Sequence, residues 1–182
     1  MIRPLQICRG RFLFGGERLS VSLSRAALSD ASELFQLQKQ AFLPLLLKYK
    51  DYTTNPAAEP LQRTEERLRQ KNSDYYFILL DGKRIGGIRI GVFKTYCRVS
   101  PIFILPQYQN NGYARQVMLM AERKYPKIRR WELETIGEEE RLCHFYEKLG
   151  YQRTGTGKKL SHLTLVTYEK FIEEKENQNA NL

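Results

Sequence analysis

The sequence predicts one mixed α/β domain, and three observations carry that prediction. Strand-like alternations and helix-like apolar stripes follow one another along the chain, no segment repeats another, and 182 residues at 42% hydrophobic content suffice for one sizeable core. Residues 18–170 are expected to form this domain. Residues 1–17 read either as an extension or as one more strand around Phe12, Leu13 and Phe14, and the polar residues 171–182 as a disordered tail.

The elements follow in order. Leu19, Val21 and Leu23 alternate with serines and predict a strand. Ser29 and Asp30 open a helix whose apolar stripe, Leu34, Leu37 and Ala41, runs to about Phe42. Residues 44–60, bounded by Pro44 and Pro60, show no sustained period and hold Tyr49 and Tyr52, so they read as a long loop that forms a binding lid. A charged surface helix is expected at 61–71. Strands at 75–80 and 84–92 meet at the Asp81-Gly82 turn. A further strand, 96–105, contains Pro101, which has no N–H for a ladder and so predicts a bulge or a one-sided strand there. After it come a helix at 112–123, a strand at 131–136, a helix at 138–149, and closing strands at 151–153 and 160–169.

Composition excludes several functions. The longest apolar run, around Phe42 to Leu47, is far short of the roughly 18–20 residues that span a bilayer, and no signal-peptide pattern opens the chain, so a cytoplasmic protein without a membrane is expected. Three cysteines without CxxC spacing and two histidines, His144 and His162, predict neither zinc nor any other metal. The formal charge of +10 invites nucleic acid, but the basic residues are interleaved with acids, as in Glu122-Arg123-Lys124, which is the pattern of solvated helix faces. No nucleic-acid partner is expected.

Chemistry concentrates in residues 102–151. Gln109, Asn110, Asn111, Gly112, Tyr113 and Ala114 lie between a strand and a helix, where the first backbone N–H groups have no partner inside the helix and can hold a pyrophosphate. Gly112 allows close approach, and Arg115 adds a positive charge. A tight helix cap would look much the same. The segment lacks the GxGxxG of dinucleotide folds and the Gly-Lys-Ser/Thr of a P-loop. It does resemble the Q/R-x-x-G-x-G/A signature of the GCN5-related N-acetyltransferase (GNAT) superfamily, including the strand and proline before it, Ile102-Phe103-Ile104-Leu105-Pro106. The run Phe145-Tyr146-Glu147-Lys148-Leu149-Gly150-Tyr151 is similar to that superfamily's tyrosine-bearing helix and glycine turn.

The resemblance implies a GNAT fold, a mixed and mostly antiparallel sheet of six to seven strands flanked by about four helices, with the fourth and fifth strands splayed at the cofactor site. It implies acetyl-CoA as donor, bound by residues 109–115 and by backbone groups near Ile102 and Ile104. The acceptor would be a primary amine of a small molecule, with a protein N-terminus or lysine as the alternative, and a non-catalytic coenzyme A-binding module as a third. Relatives often dimerise. Tyr146 matches the family's general acid, which also meets the cofactor; its i+4 spacing from Leu142 equally suits a core-edge tyrosine. Glu132 and Glu134 share one strand face and are candidate bases, provided they reach a cleft or a cation; the alternatives are carboxylates in solvent and a water relay. Glu139 stands where many relatives carry a cofactor-binding asparagine.

Overall fold

The computed structural model describes residues 19–173; the expectations for 1–17 and for most of the polar tail fall outside it. Seven strands form one sheet in the order β1-β2-β3-β4-β5-β7-β6. They are β1 (Val21–Arg25), β2 (Ser73–Leu80), β3 (Lys83–Val92), β4 (Tyr96–Ile104), β5 (Arg130–Ile136), β6 (Gln152–Lys159) and β7 (Thr164–Phe171). Every neighbouring pair is antiparallel except β4–β5. Among the described residues four α-helices flank the sheet: α1 (Ala31–Tyr49), α2 (Leu61–Arg69), α3 (Tyr113–Lys124) and α4 (Glu140–Lys148).

Alternation along β2 shows how the layers are divided. Tyr76 and Ile78 join the larger core with Val117, Met118 and Ala121 of α3 and Tyr146 and Leu149 of the α4 region. Tyr75 and Phe77, on the opposite face, pack with Leu34 of α1 and Phe103 of β4. The Asp81-Gly82 hairpin forms as expected, both residues taking the positive φ that such a turn requires.

Three boundaries depart from the sequence reading. Helix α1 continues through Pro44 to Tyr49, so only residues 50–60 are loop. Proline there removes the one bond its N–H would have made, while Leu46, buried, and contacts from Lys48 and Tyr49 hold the last turn by tertiary packing. The closing strands are also placed differently: β6 is longer than the predicted 151–153, because residues 157–159 pair with β7 despite Gly157, and β7 begins at Thr164 and reaches Phe171, inside the expected tail.

Candidate active site

The site begins at an irregularity in β4. Ile88 pairs with Ile102 but Ile90 pairs with Val99, so Ser100 and Pro101 together face Arg89 and form the bulge that Pro101 predicted. Arg89 fills it, donating to the Ser100 carbonyl (2.9 Å), the Ser73 hydroxyl (2.8 Å) and the Gln70 side-chain carbonyl (2.7 Å). Beyond the bulge β4 and β5 part: their parallel pairing runs only from Tyr96↔Arg130 to Val99↔Leu133.

The parted edge of β4 carries free backbone groups. Leu105 N–H donates to the Ile85 carbonyl, which makes that pair a hydrogen-bonded one; by strict alternation the N–H and C=O of Ile102 and Ile104 turn away from β3, toward the gap. Gly86 and Gly87 permit this close pairing, since a Cβ on Gly86 would sit 2.1 Å from the Phe103 carbonyl oxygen. The Ile104 carbonyl accepts from the Gln109 side chain (2.7 Å). Gln109 is thus turned inward as an anchor of the loop, its own N–H bonded to Pro106, rather than standing as an open donor.

The loop that follows delivers the chain into α3. Asn110 and Gly112 take positive φ, 65° and 78°, and Asn111 closes the turn by donating to the Tyr108 and Gln109 carbonyls. Gln116 makes the first bond back to the Gly112 carbonyl. Among the described residues, the backbone N–H groups of Asn110, Asn111, Gly112, Tyr113, Ala114 and Arg115 have no acceptor, and no atom lies within 4 Å of a Cβ built on Gly112. A row of free donors at a helix N-terminus, facing open space, suits a pyrophosphate. Arg141 of α4 donates to the Asn110 side-chain carbonyl (2.7 Å) and brings a second cation beside the loop. Sequence reading missed it; the signal was an arginine in the first turn of a helix, where the dipole disfavours positive charge.

Tyr146 lies on the inner face of α4, 6% exposed, its ring edge-on to Phe145 and Tyr151 and tilted against Tyr168. Burial pushes its pKa up, so the phenol keeps its proton. Among the described residues nothing hydrogen-bonds that hydroxyl, whereas the neighbouring tyrosines are engaged, Tyr151 with Glu122 and Tyr168 with Glu147.

Glu132 and Glu134 share the sheet face opposite the larger core, and both meet cations. Glu132 lies between Arg98 (3.6 Å) and Arg130 (3.3 Å) with its side chain 13% exposed, and Arg130 also holds Glu169 (2.6 Å). Glu134 pairs with Arg98 at 2.7 Å and remains 42% exposed. It is the first β5 residue past the last β4–β5 pair.

Glu139 makes no use of an amide's donors. Its carboxylate accepts from Lys48 Nζ (2.6 Å) and from the Tyr49 hydroxyl (2.8 Å). Burial works against its charge, but these two hydrogen bonds together with the positive charges of Lys48 and Arg141 hold the carboxyl below the usual range. The residues after α1, read from the sequence as a binding lid, form a hydrogen-bonded wall. Asp51 accepts from the backbone and hydroxyl groups of Thr53 and Thr54, and fully buried Gln38 donates to Pro56 and Glu59 while accepting from Tyr75. Arg67 grips Glu59 with both nitrogens, at 2.6 and 2.7 Å.

The sequence model of the acetyltransferase (GNAT) family matches residues 33–151. The chain belongs to that family. Solved GNAT structures share its fold. The ribosomal-protein-S18-alanine N-acetyltransferase of Escherichia coli superposes with a TM-score of 0.70 at 13% identity, covering 90% of this chain and 100% of that one. The spermidine/spermine N-acetyltransferase of Vibrio cholerae gives 0.64 at 14%, covering 83% and 93%. An N-acetyltransferase from Thermoplasma acidophilum, solved with coenzyme A, gives 0.61 at 15%, covering 84% and 99%. No curated protein matches the chain by sequence. The seven-stranded, mostly antiparallel sheet with its one parallel pair is the GNAT arrangement that the motifs implied.

Proposed function

We propose that this GNAT acetyltransferase moves the acetyl group of acetyl-CoA directly to a primary amine of a small molecule, within one ternary complex and in the cytosol. The observation that carries this reading is the parted β4–β5 edge, with the free backbone groups of Ile102 and the free N–H of Ile104 leading from the unpartnered N–H row of residues 110–115. Those N–H groups, with Arg115 and Arg141, bind the pyrophosphate. The donor contributes a thioester, whose acetyl carbon is open to attack by a neutral amine. The Ile102 backbone groups and the Ile104 N–H orient the pantetheine arm and polarise the acetyl carbonyl.

Tyr146 holds a proton for the sulfur that leaves. Its raised pKa keeps that proton in place through the neutral range, so the phenol hydrogen-bonds the departing sulfur before yielding anything to it. Of the two carboxylates, Glu134 is the better placed to take the amine's proton, being more exposed and beside the start of the gap, while Glu132 lies between two arginines. The small-molecule reading is favoured by the wall of α1 and residues 50–60, fixed by Asp51, Gln38 and Glu139 rather than open along its length.

The test is thiol release from acetyl-CoA across polyamines, amino acids, aminoglycosides and basic peptides. Release with one or more free small amines, and little with peptides, is the expected result. Preference for a peptide would move the activity to protein amines, and no release with any amine would leave a coenzyme A-binding module.

A further inference from the structure

Helix α1 does more than pack on the sheet. Phe42 lies against Phe103 of β4, ring centroids 5.9 Å apart, while Lys48 and Tyr49 meet Glu139, the residue that caps α4 just after β5. The seven steps from Phe42 to Tyr49 rise about 10 Å at helical pitch, about two turns. The last two turns of α1 therefore cross from the β4 side of the parted strands to the β5–α4 side. Along its own chain this bridge is stiff, because Lys50 ends the helix in a left-handed conformation and Asp51 gathers the donors of Thr53 and Thr54. Among the described residues, Glu139 is the one α4-side group hydrogen-bonded to that turn.

We propose that Glu139 is a specificity-determining residue that, through Tyr49 and Lys48, ties the end of α1 across the β4–β5 gap and so sets the width of the acceptor opening. This rests on the acetyl transfer proposed above. Glutamate suits the task because its longer side chain carries one charged oxygen, Oε1, to both donors, whereas an asparagine is shorter and uncharged. If the tie sets that width, cutting it widens the opening, and a branched amine then gains on a slender one.

The experiment compares a slender and a branched primary amine, with acetyl-CoA as donor, in the wild type, in Glu139→Ala, and in the double variant Lys48→Met/Tyr49→Phe, which cuts the same tie without touching α4. Loss of hydrogen bonds to a charged group should raise the kcat/KM ratio of branched to slender amine about tenfold in both variants, with the KM for acetyl-CoA held within about twofold. Backbone amide exchange in residues 45–50 should quicken in both variants before any ligand is added. A tenfold rise in the KM for acetyl-CoA with the amine ratio unmoved would make Glu139 a cofactor ligand and overturn the proposal. So would unchanged amide exchange. A wild-type chain that acetylates no amine is a different failure, of the transfer reading itself, and is seen before any variant is made.

Discussion

The proposed cofactor side and the proposed acceptor side of this site are built from different materials. On the first, most donors are main-chain groups: six N–H groups from Asn110 to Arg115 that are free among the described residues, and the β4 edge at Ile102 and Ile104. On the acceptor side the architecture is made of side chains reaching over long stretches of sequence, Gln38 to Glu59, Arg67 to Glu59, Tyr49 to Glu139. Main-chain geometry is tolerant of the side chains it carries, so it can be kept while sequence drifts. A side-chain wall changes with every substitution. The difference suits an enzyme that holds one donor in common with its relatives and chooses its own acceptor.

The largest effect should come from Tyr146, the proposed proton donor to the leaving sulfur. Tyr146→Phe is expected to lower kcat by about 10²–10⁴-fold, with the KM for acetyl-CoA nearly unchanged, in steady-state assays. Since among the described residues no group hydrogen-bonds the hydroxyl, the melting temperature should hold. A variant that keeps full activity would return Tyr146 to the role of a core-edge residue. The acceptor wall should respond in the opposite way. Glu59→Ala strands Arg67, whose side chain is 10% exposed, and removes a partner of fully buried Gln38. Urea unfolding should show a loss of about 2–3 kcal/mol, while the KM for acetyl-CoA barely moves.

Gly112→Val tests the main-chain half directly. A β-branched residue at φ 78° carries strain of about 1–3 kcal/mol and puts bulk into the open space above the loop. Acetyl-CoA should bind about 10- to 100-fold more weakly by titration. An unchanged affinity would contradict the pyrophosphate assignment and with it the division between the two sides.

That division also explains what the sequence made legible. Pro101 and the Asp81-Gly82 pair announce backbone conformations, because few residue types tolerate those dihedrals or a missing N–H, and each led to the correct local geometry. Pro44 misled for a related reason. It marks a missing hydrogen bond, but whether a helix ends there depends on contacts 90 residues away, which periodicity does not encode. The alternation of Glu132 and Glu134 with Trp131 and Leu133 gave their face; their partner Arg98 depends on the pairing of β4 with β5. Gln109 looked like part of an anion loop, and only the turn itself shows its side chain folded back onto Ile104.

The smallest effect belongs to Asp51, and it concerns the wall alone. Burial opposes its charge, yet the donors from Thr54 and Thr53 more than offset that and hold its carboxyl below the ordinary 3.8. With the folded-state pKa depressed, the charged form stabilises the fold above that ordinary value, and the contribution fades as pH falls through the lower one. Asp51→Asn keeps the oxygen that receives three of the four hydrogen bonds and loses the charge. Acid titration of the fold should therefore show a shallower loss of stability below about pH 4 in the variant than in the wild type. At neutral pH the variant should be slightly less stable, with cofactor affinity intact. Identical acid limbs would mean that the wall is held by packing and by Gln38 and Glu59, and that the Asp51 turn merely ends the helix.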